Sequence, residues 1–184
     1  RTPLTSIIGS SSSYLENYSD LSESERTELV SNIKEDSEWL LNMVENLLTV
    51  TRISGNTGKV KKSLEVVEEV VSEAILRLQK RHPDMKVKVT MPNDFLMLPL
   101  DATLIEQVLI NLLENSFIHS GSKEPSDLII IEDPESVTFI IRDYGIGLDE
   151  KQLPFIFEGQ YSSDSSDGHK GIGIGLSICK TIVQ

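Results

Sequence analysis

Three short segments in the second half of the chain hold residues able to do chemistry. Asn111 and Asn115 lie four apart in a run with helical spacing, so both amides project from one face. Asparagine is a poor helix former, so two at this interval need a reason. An amide oxygen can ligate Mg2+, with phosphate oxygens and water completing the octahedron. Taken alone, such a pair is more often simply solvated or capping.

Asp143-Tyr144-Gly145-Ile146-Gly147 directly follows a β-branched run. A carboxylate there can accept a hydrogen bond from an exocyclic amine such as that of adenine. The two glycines let the backbone turn tightly and approach a flat ring. A strand-ending acidic turn would use the same residues. Lys170-Gly171-Ile172-Gly173-Ile174-Gly175-Leu176 precedes a helix. Glycine amides at a helix start cradle anions, and Lys170 adds a positive charge where a triphosphate would sit. The spacing fits neither a Walker loop nor a dinucleotide fingerprint, and a plain glycine hinge is the simpler alternative.

The elements that must position these segments follow from periodicity. Residues 1–53 read as two helices. The first runs from about Pro3 to Tyr18. The second begins after a cap at Ser22 or Ser24, with an apolar stripe of Leu29, Ile33, Leu40, Val44, Leu47 and Val50. The stripe either packs on the rest of the chain or pairs with a second copy in a four-helix bundle. Ser54 to Gly58 is a turn-rich linker. Beyond it, Lys59–Ser63 reads as a strand and Glu65–Lys80 as a helix. Val87–Met91 and Leu96–Leu98 read as strands. Asp101 caps a long helix that runs to His119, with Leu104, Ile105, Val108, Leu109, Leu112 and Leu113 as its apolar face. Leu128–Glu132 and Val137–Arg142 form a hairpin across Asp133-Pro134-Glu135. Residues 158–170 read as a mobile loop, and a last helix starts near Gly173. The expected class is α+β: a helical hairpin, then helices on one face of a mostly antiparallel sheet.

Composition narrows the function. With 17 basic and 29 acidic side chains the net charge is −12, the wrong sign for gripping nucleic acid or an anionic membrane surface. One cysteine, Cys179, allows no internal disulfide or cysteine-rich zinc site. No apolar run approaches the ~20 residues that cross a bilayer. The chain opens on Arg1 inside an amphipathic segment, which reads as a cytoplasmic portion of something longer.

In order and context, the three segments resemble the Bergerat-type ATP site of histidine kinases, gyrases, Hsp90-like chaperones and MutL-like repair proteins. Sensor histidine kinases are the closer resemblance. Arg1-Thr2-Pro3-Leu4-Thr5 is similar to the tail of their phosphoacceptor box, and Leu109 to Asn115 to their N box. Residues 143 to 147 resemble the first glycine box, Phe155-Ile156-Phe157 the F box, and 171 to 176 the second glycine box. The helix from Leu104 to Asn115, with the preceding connector and short strands, looks most like the potassium-responsive KdpD branch.

The resemblance implies a truncated dimerisation and phosphotransfer hairpin at 1–55 and an ATP-binding domain of α/β sandwich type at 56–184. It implies Asn115 as the Mg2+ ligand, with Asn111 supporting it or touching phosphate. Asp143 would read the adenine amine, and Gly145 and Gly147 would wall the base. Lys170, Gly171, Gly173, Gly175 and Leu176 would shape the phosphate side under a lid of residues 158–170. Thr2, one helical turn past the acceptor histidine, would either orient water for dephosphorylating the partner or be a surface residue. The acceptor histidine itself would stand three residues before Arg1. Implied partners are a second copy through residues 1–53 and a response-regulator receiver domain, with a membrane-anchored parent protein.

Departures from the family pattern matter. The lysine expected three residues after Asn115 is Ile118, and the second F-box aromatic is replaced by Gln160. His82, His119 and His169 lack the phosphoacceptor context and read as surface residues. An ATP-responsive scaffold without catalysis is therefore one alternative. A Bergerat ATPase is another, disfavoured because Asn111 stands where hydrolysing relatives carry a glutamate. An amide cannot take the proton of an attacking water.

Overall fold

The computed structural model describes residues 2–54, 60–92, 95–158 and 174–184. The chain divides into two compact units, Arg1–Thr51 and Arg52–Gln184.

The first unit holds α1 (Thr2–Glu16) and most of α2 (Glu23–Ser54). Helix α1 stops two residues short of the expected Tyr18. Asn17 ends it, with its amide Nδ2 donating to the Ser13 carbonyl while its own carbonyl accepts from Asp20 and Leu21. Of the two candidate caps for α2, Ser22 is used. Its Oγ accepts from the Glu25 N–H at 3.3 Å, and its own N–H donates to Glu25 Oε2 at 2.8 Å, a reciprocal capping box. The Ser22 hydroxyl, which donates to Glu25 Oε2, and then the Ser22 N–H hold the Glu25 carboxyl below its ordinary range. Arg26 fastens the turn, with its guanidinium 4.1 Å above the Tyr18 ring and a bond to the Tyr18 carbonyl. Leu29, Ile33 and Leu40 of the α2 stripe are half-buried, whereas Val44 and Leu47 are exposed. Leu4, Ile8 and Leu15 of α1 are exposed as well.

The second unit contains β1 (Ser63–Val66), α3 (Val67–Arg81), β2 (Val87–Thr90), β3 (Met97–Leu100) and α4 (Ala102–His119). Then come β4 (Ser126–Asp133), β5 (Ser136–Arg142) and α5 (Ile174–Val183). The strand expected at 59–63 lies instead at 63–66. Its antiparallel partner Met97–Leu100 sets that register, and the lead-in is tied down by the Lys61 N–H donating to Asp101 Oδ2. The strand pairings are mostly antiparallel, as expected, but they do not form one sheet. There are two sheets, β1–β3 and β2–β4–β5, and β2 runs parallel to β4. The connection from β2 to β4 passes through β3 and α4, long enough for the crossover that parallel neighbours require. The hairpin is longer than expected, with Asp133 opposite Ser136 across a two-residue turn at Pro134-Glu135.

The core lies between α3, α4 and the β2–β4–β5 sheet. Val67, Val71, Ala74 and Leu78 meet Leu109, Ile110 and Leu113, over Leu128 and Ile130. In α4 Ile110 is buried as well, whereas the expected Leu112 is only half-buried. Asp101 caps α4 as expected, accepting from the Leu104 N–H at 3.3 Å. Arg77 of α3 reaches Glu106 of α4 at 3.0 Å, and burial holds the Glu106 carboxyl above its ordinary range despite that cation.

Candidate functional site

Helix α4 carries both asparagines, but the structure gives them different surroundings. Asn111 is half-buried, and its Oδ1 accepts from Gln107 Nε2 at 3.2 Å. Its side chain lies under Gly175 in the first turn of α5, where a Cβ would meet Asn111 Cγ at 3.8 Å. Cys179, one turn further along α5, is buried over the Val108 carbonyl at 3.8 Å. Burial pushes its thiol up to about 11, while the Asn111 amide acts the other way. Asn111 thus belongs to the α4–α5 packing. Asn115, one turn later, is half-buried, and its side chain makes no hydrogen bond among the described residues.

The 143–147 loop is tied to the end of the same helix. The Asp143 side chain is exposed, and its Oδ1 accepts from the Gly145 N–H at 2.9 Å. Gly145 lies directly against Ser120, and the Ile146 N–H donates to the Ser120 carbonyl at 3.1 Å. Gly147 turns the chain with φ of +72°. The space that a Gly145 side chain would need is filled by Ser120. Sequence reasoning missed Ser120, and no local signal marks it: the contact joins residues 25 apart through the fold.

Around and beyond Gly147 the chain presents apolar side chains to its surface. Ile146 is 90% exposed, with Leu148, Phe155 and Phe157 also exposed. Of the expected phosphate cradle, Gly175 and a half-buried Leu176 stand in the first turn of α5. Lys170, Gly171 and Gly173, and all but Glu158 of the expected 158–170 loop, lie outside the described residues. So does most of the 54–58 linker. Thr2 is the first residue of α1.

One histidine is reassigned. His82, read from sequence as a surface residue, is partly buried at the end of α3. Its Nε2 lies 2.8 Å from Glu114 Oε1, and its ring lies 5.2 Å from that of Phe117. Glu114 sits between the two asparagines, so this contact braces the same stretch of α4 against α3. Among the described residues no cluster of three or more His, Cys, Asp or Glu could hold a metal ion.

A helix bearing paired amides, a carboxylate loop locked to its end and a glycine-led helix beside it define an ATPase-type nucleotide fold joined to a helical hairpin. Residues 100–184 match the family described as histidine kinase-, DNA gyrase B- and HSP90-like ATPase. Residues 1–56 match the His kinase A phospho-acceptor domain. The chain belongs to the sensor histidine kinases, close to the KdpD sensors. It is 42% identical over 186 residues to sensor protein KdpD of Clostridium acetobutylicum, covering 100% of this chain and 21% of that protein. To Escherichia coli KdpD it is 31% identical over 144 residues, covering 77% of this chain and 16% of that protein. The chain therefore spans about a fifth or less of the length of these relatives. In fold it is similar to histidine kinase ThkA in complex with response regulator TrrA, with TM-score 0.70 at 20% identity, covering 100% of this chain and 51% of that one.

Proposed function

We propose that this chain is the kinase core of a two-component sensor protein. It binds ATP with Mg2+ and directs the γ-phosphoryl to a histidine, from which an aspartate of a response-regulator receiver domain takes it. The observation that carries this reading is the joint at Ser120. It ties the asparagine-bearing helix to the Asp143 loop through the Ile146 N–H and the close approach of Gly145.

In this reading the exposed Asp143 carboxylate accepts from the adenine amine. Its bond to the Gly145 N–H fixes one oxygen and leaves the other for the base. Asn115 suits Mg2+ by its chemistry: a hard amide oxygen with no described partner to give up. When bound, that ion would neutralise charge on the phosphates. Asn111 acts on the phosphate side through α5, whose first turn rests on it, together with the Lys170, Gly171 and Gly173 segment. Asn111 offers no base to activate water, so the site favours transfer over hydrolysis. In the transfer itself, the imidazole nitrogen bonds to the γ-phosphorus as the bond to the bridging oxygen breaks. ADP leaves with the electron pair, and the imidazole proton passes to the acidic residue that the family's phosphoacceptor box places beside the histidine.

The hairpin serves as the dimerisation and acceptor unit. Leu4, Ile8 and Leu15 on α1 and Val44 and Leu47 on α2 remain exposed in the single chain, and a second copy would cover them. Thr2, in the phosphoacceptor stretch, would orient water for dephosphorylating the partner. The complex of ThkA with TrrA supports a receiver domain as that partner. The parent protein is read as membrane-anchored, although no described helix of this chain is long and apolar enough to cross a membrane.

The test adds an upstream phosphoacceptor segment with its histidine and supplies γ-labelled ATP with Mg2+. Acid-labile label on the histidine is expected. ATP binding without any such label would replace this reading with the non-catalytic scaffold.

A further inference from the structure

Tyr144 stands between the two best-tethered features of the 143–147 loop, and nothing in its sequence context marks it. Its hydroxyl donates to Asp127 Oδ2 at 2.5 Å. Asp127 lies at the start of β4, opposite Arg142 in the β4–β5 register. Tyr144 therefore extends the β4–β5 pairing past its last backbone rung, using a side chain where the ladder has run out. Asp143 follows the final strand residue and is followed by two anchored positions. Tyr144 is tied to β4, and Gly145 is seated on the end of α4. A loop residue free to swing would present its carboxylate over a range of positions. One that leaves the strand and is followed at once by two anchors presents it in a narrow range, which is what discrimination between bases requires.

We propose that Tyr144 is a positioning residue that, through Asp127, holds Asp143 for base selection, so that the Tyr144–Asp127 bond sets the preference for adenine over guanine nucleotides. This inference rests on the nucleotide-binding reading given above. Guanine presents a carbonyl where adenine presents an amine, so a well-placed carboxylate repels one and pairs with the other. The same hydrogen bond raises the Tyr144 hydroxyl above its ordinary titration range, as a donor to a carboxylate should be.

The experiment uses the full 184-residue chain and measures ATP and GTP affinity by calorimetry with Mg2+. Tyr144→Phe removes the hydroxyl alone. It is expected to weaken ATP binding roughly two- to tenfold and to narrow the ATP:GTP ratio, the scale of one lost hydrogen bond. Its melting temperature should stay near that of the unsubstituted chain, because the bond is exposed. Asp127→Ala should match it, and the double variant should lose no more than either single one. Asp127→Asn, which keeps an acceptor oxygen, should restore most of the preference. Unchanged ATP affinity and ATP:GTP ratio in Tyr144→Phe would overturn the proposal. So would a loss seen only when the ring is also removed, as in Tyr144→Ala, since that would mean direct ring contact with the base. An unsubstituted chain that bound neither nucleotide would overturn the nucleotide-binding reading as well, and is thereby distinguishable.

Discussion

Gly145 rests on Ser120 so closely that a Cβ would fall 2.4 Å from the Ser120 Cα and 2.4 Å from its carbonyl oxygen. Folded chains do not accommodate such approaches, and here the obstructing atoms are backbone. Gly145→Ala must therefore push the 143–147 loop off α4. A loss on the scale of core overpacking, about 1–3 kcal/mol, is expected together with a large drop in ATP affinity. Denaturant unfolding and calorimetry would measure both, and a fully stable, ATP-competent variant would contradict the geometry. Gly175→Ala is the control, because its nearest described neighbour lies at an ordinary 3.8 Å and folding should be little affected.

Asp101 does two jobs with two oxygens. One accepts from Leu104 at the start of α4, and the other accepts from the Lys61 N–H ahead of β1. Asp101→Ala is expected to destabilise the second unit by about 1–2 kcal/mol, the upper part of the range for a lost cap. Asp101→Asn, which keeps one acceptor oxygen, should recover part of that.

Glu106 gives the stability of the fold a pH signature. Burial raises its carboxyl above 4.5 in the folded chain, outweighing the attraction of Arg77, and Glu73 adds to the rise. The folded state thus favours the protonated form. That contribution is fully present below the unfolded value and is lost as pH rises through the folded one. Glu106→Gln removes the titration, so the unsubstituted chain should lose stability relative to Glu106→Gln as pH rises from 4.5 through the raised folded value. Equal pH slopes in urea unfolding would count against it.

Cys179 should be chemically quiet while the fold is intact. With its thiol pushed up to about 11 by burial, only about a thousandth is thiolate at pH 8. Alkylation by iodoacetamide is expected to be slow in buffer and fast in denaturant. Rapid labelling of the native chain would mean that α5 readily leaves α4.

Asp143→Asn is expected to weaken ATP binding more than Asn111→Ala, because Asp143 would touch the base while Asn111 supports α5. Asn111→Ala should instead speed Cys179 alkylation, since it thins the α4–α5 contact. The same two measurements, affinity and thiol labelling, separate the roles. An Asn111→Ala variant with unchanged thiol protection would argue against support of α5.

Much of this protein was determined by sequence alone. Period and caps are local properties, so α2 beginning after Ser22, α4 beginning after Asp101 and the 126–142 hairpin could be read to within a few residues. The paired asparagines, the Asp143 loop and the glycine run identified the class of site, because chemistry of that kind depends on residue type and order. Tertiary structure decided what depends on distant partners. The β1 register came from Met97–Leu100, and the parallel direction of β2 came from the path through α4. Gly145 owes its glycine to Ser120, His82 its partial burial to Glu114, and Tyr144 its tether to Asp127. Each is a contact between residues 17 or more apart, with no periodic trace in the sequence. Side-chain type shows what a residue can do, but only the folded chain supplies the neighbour it does it with.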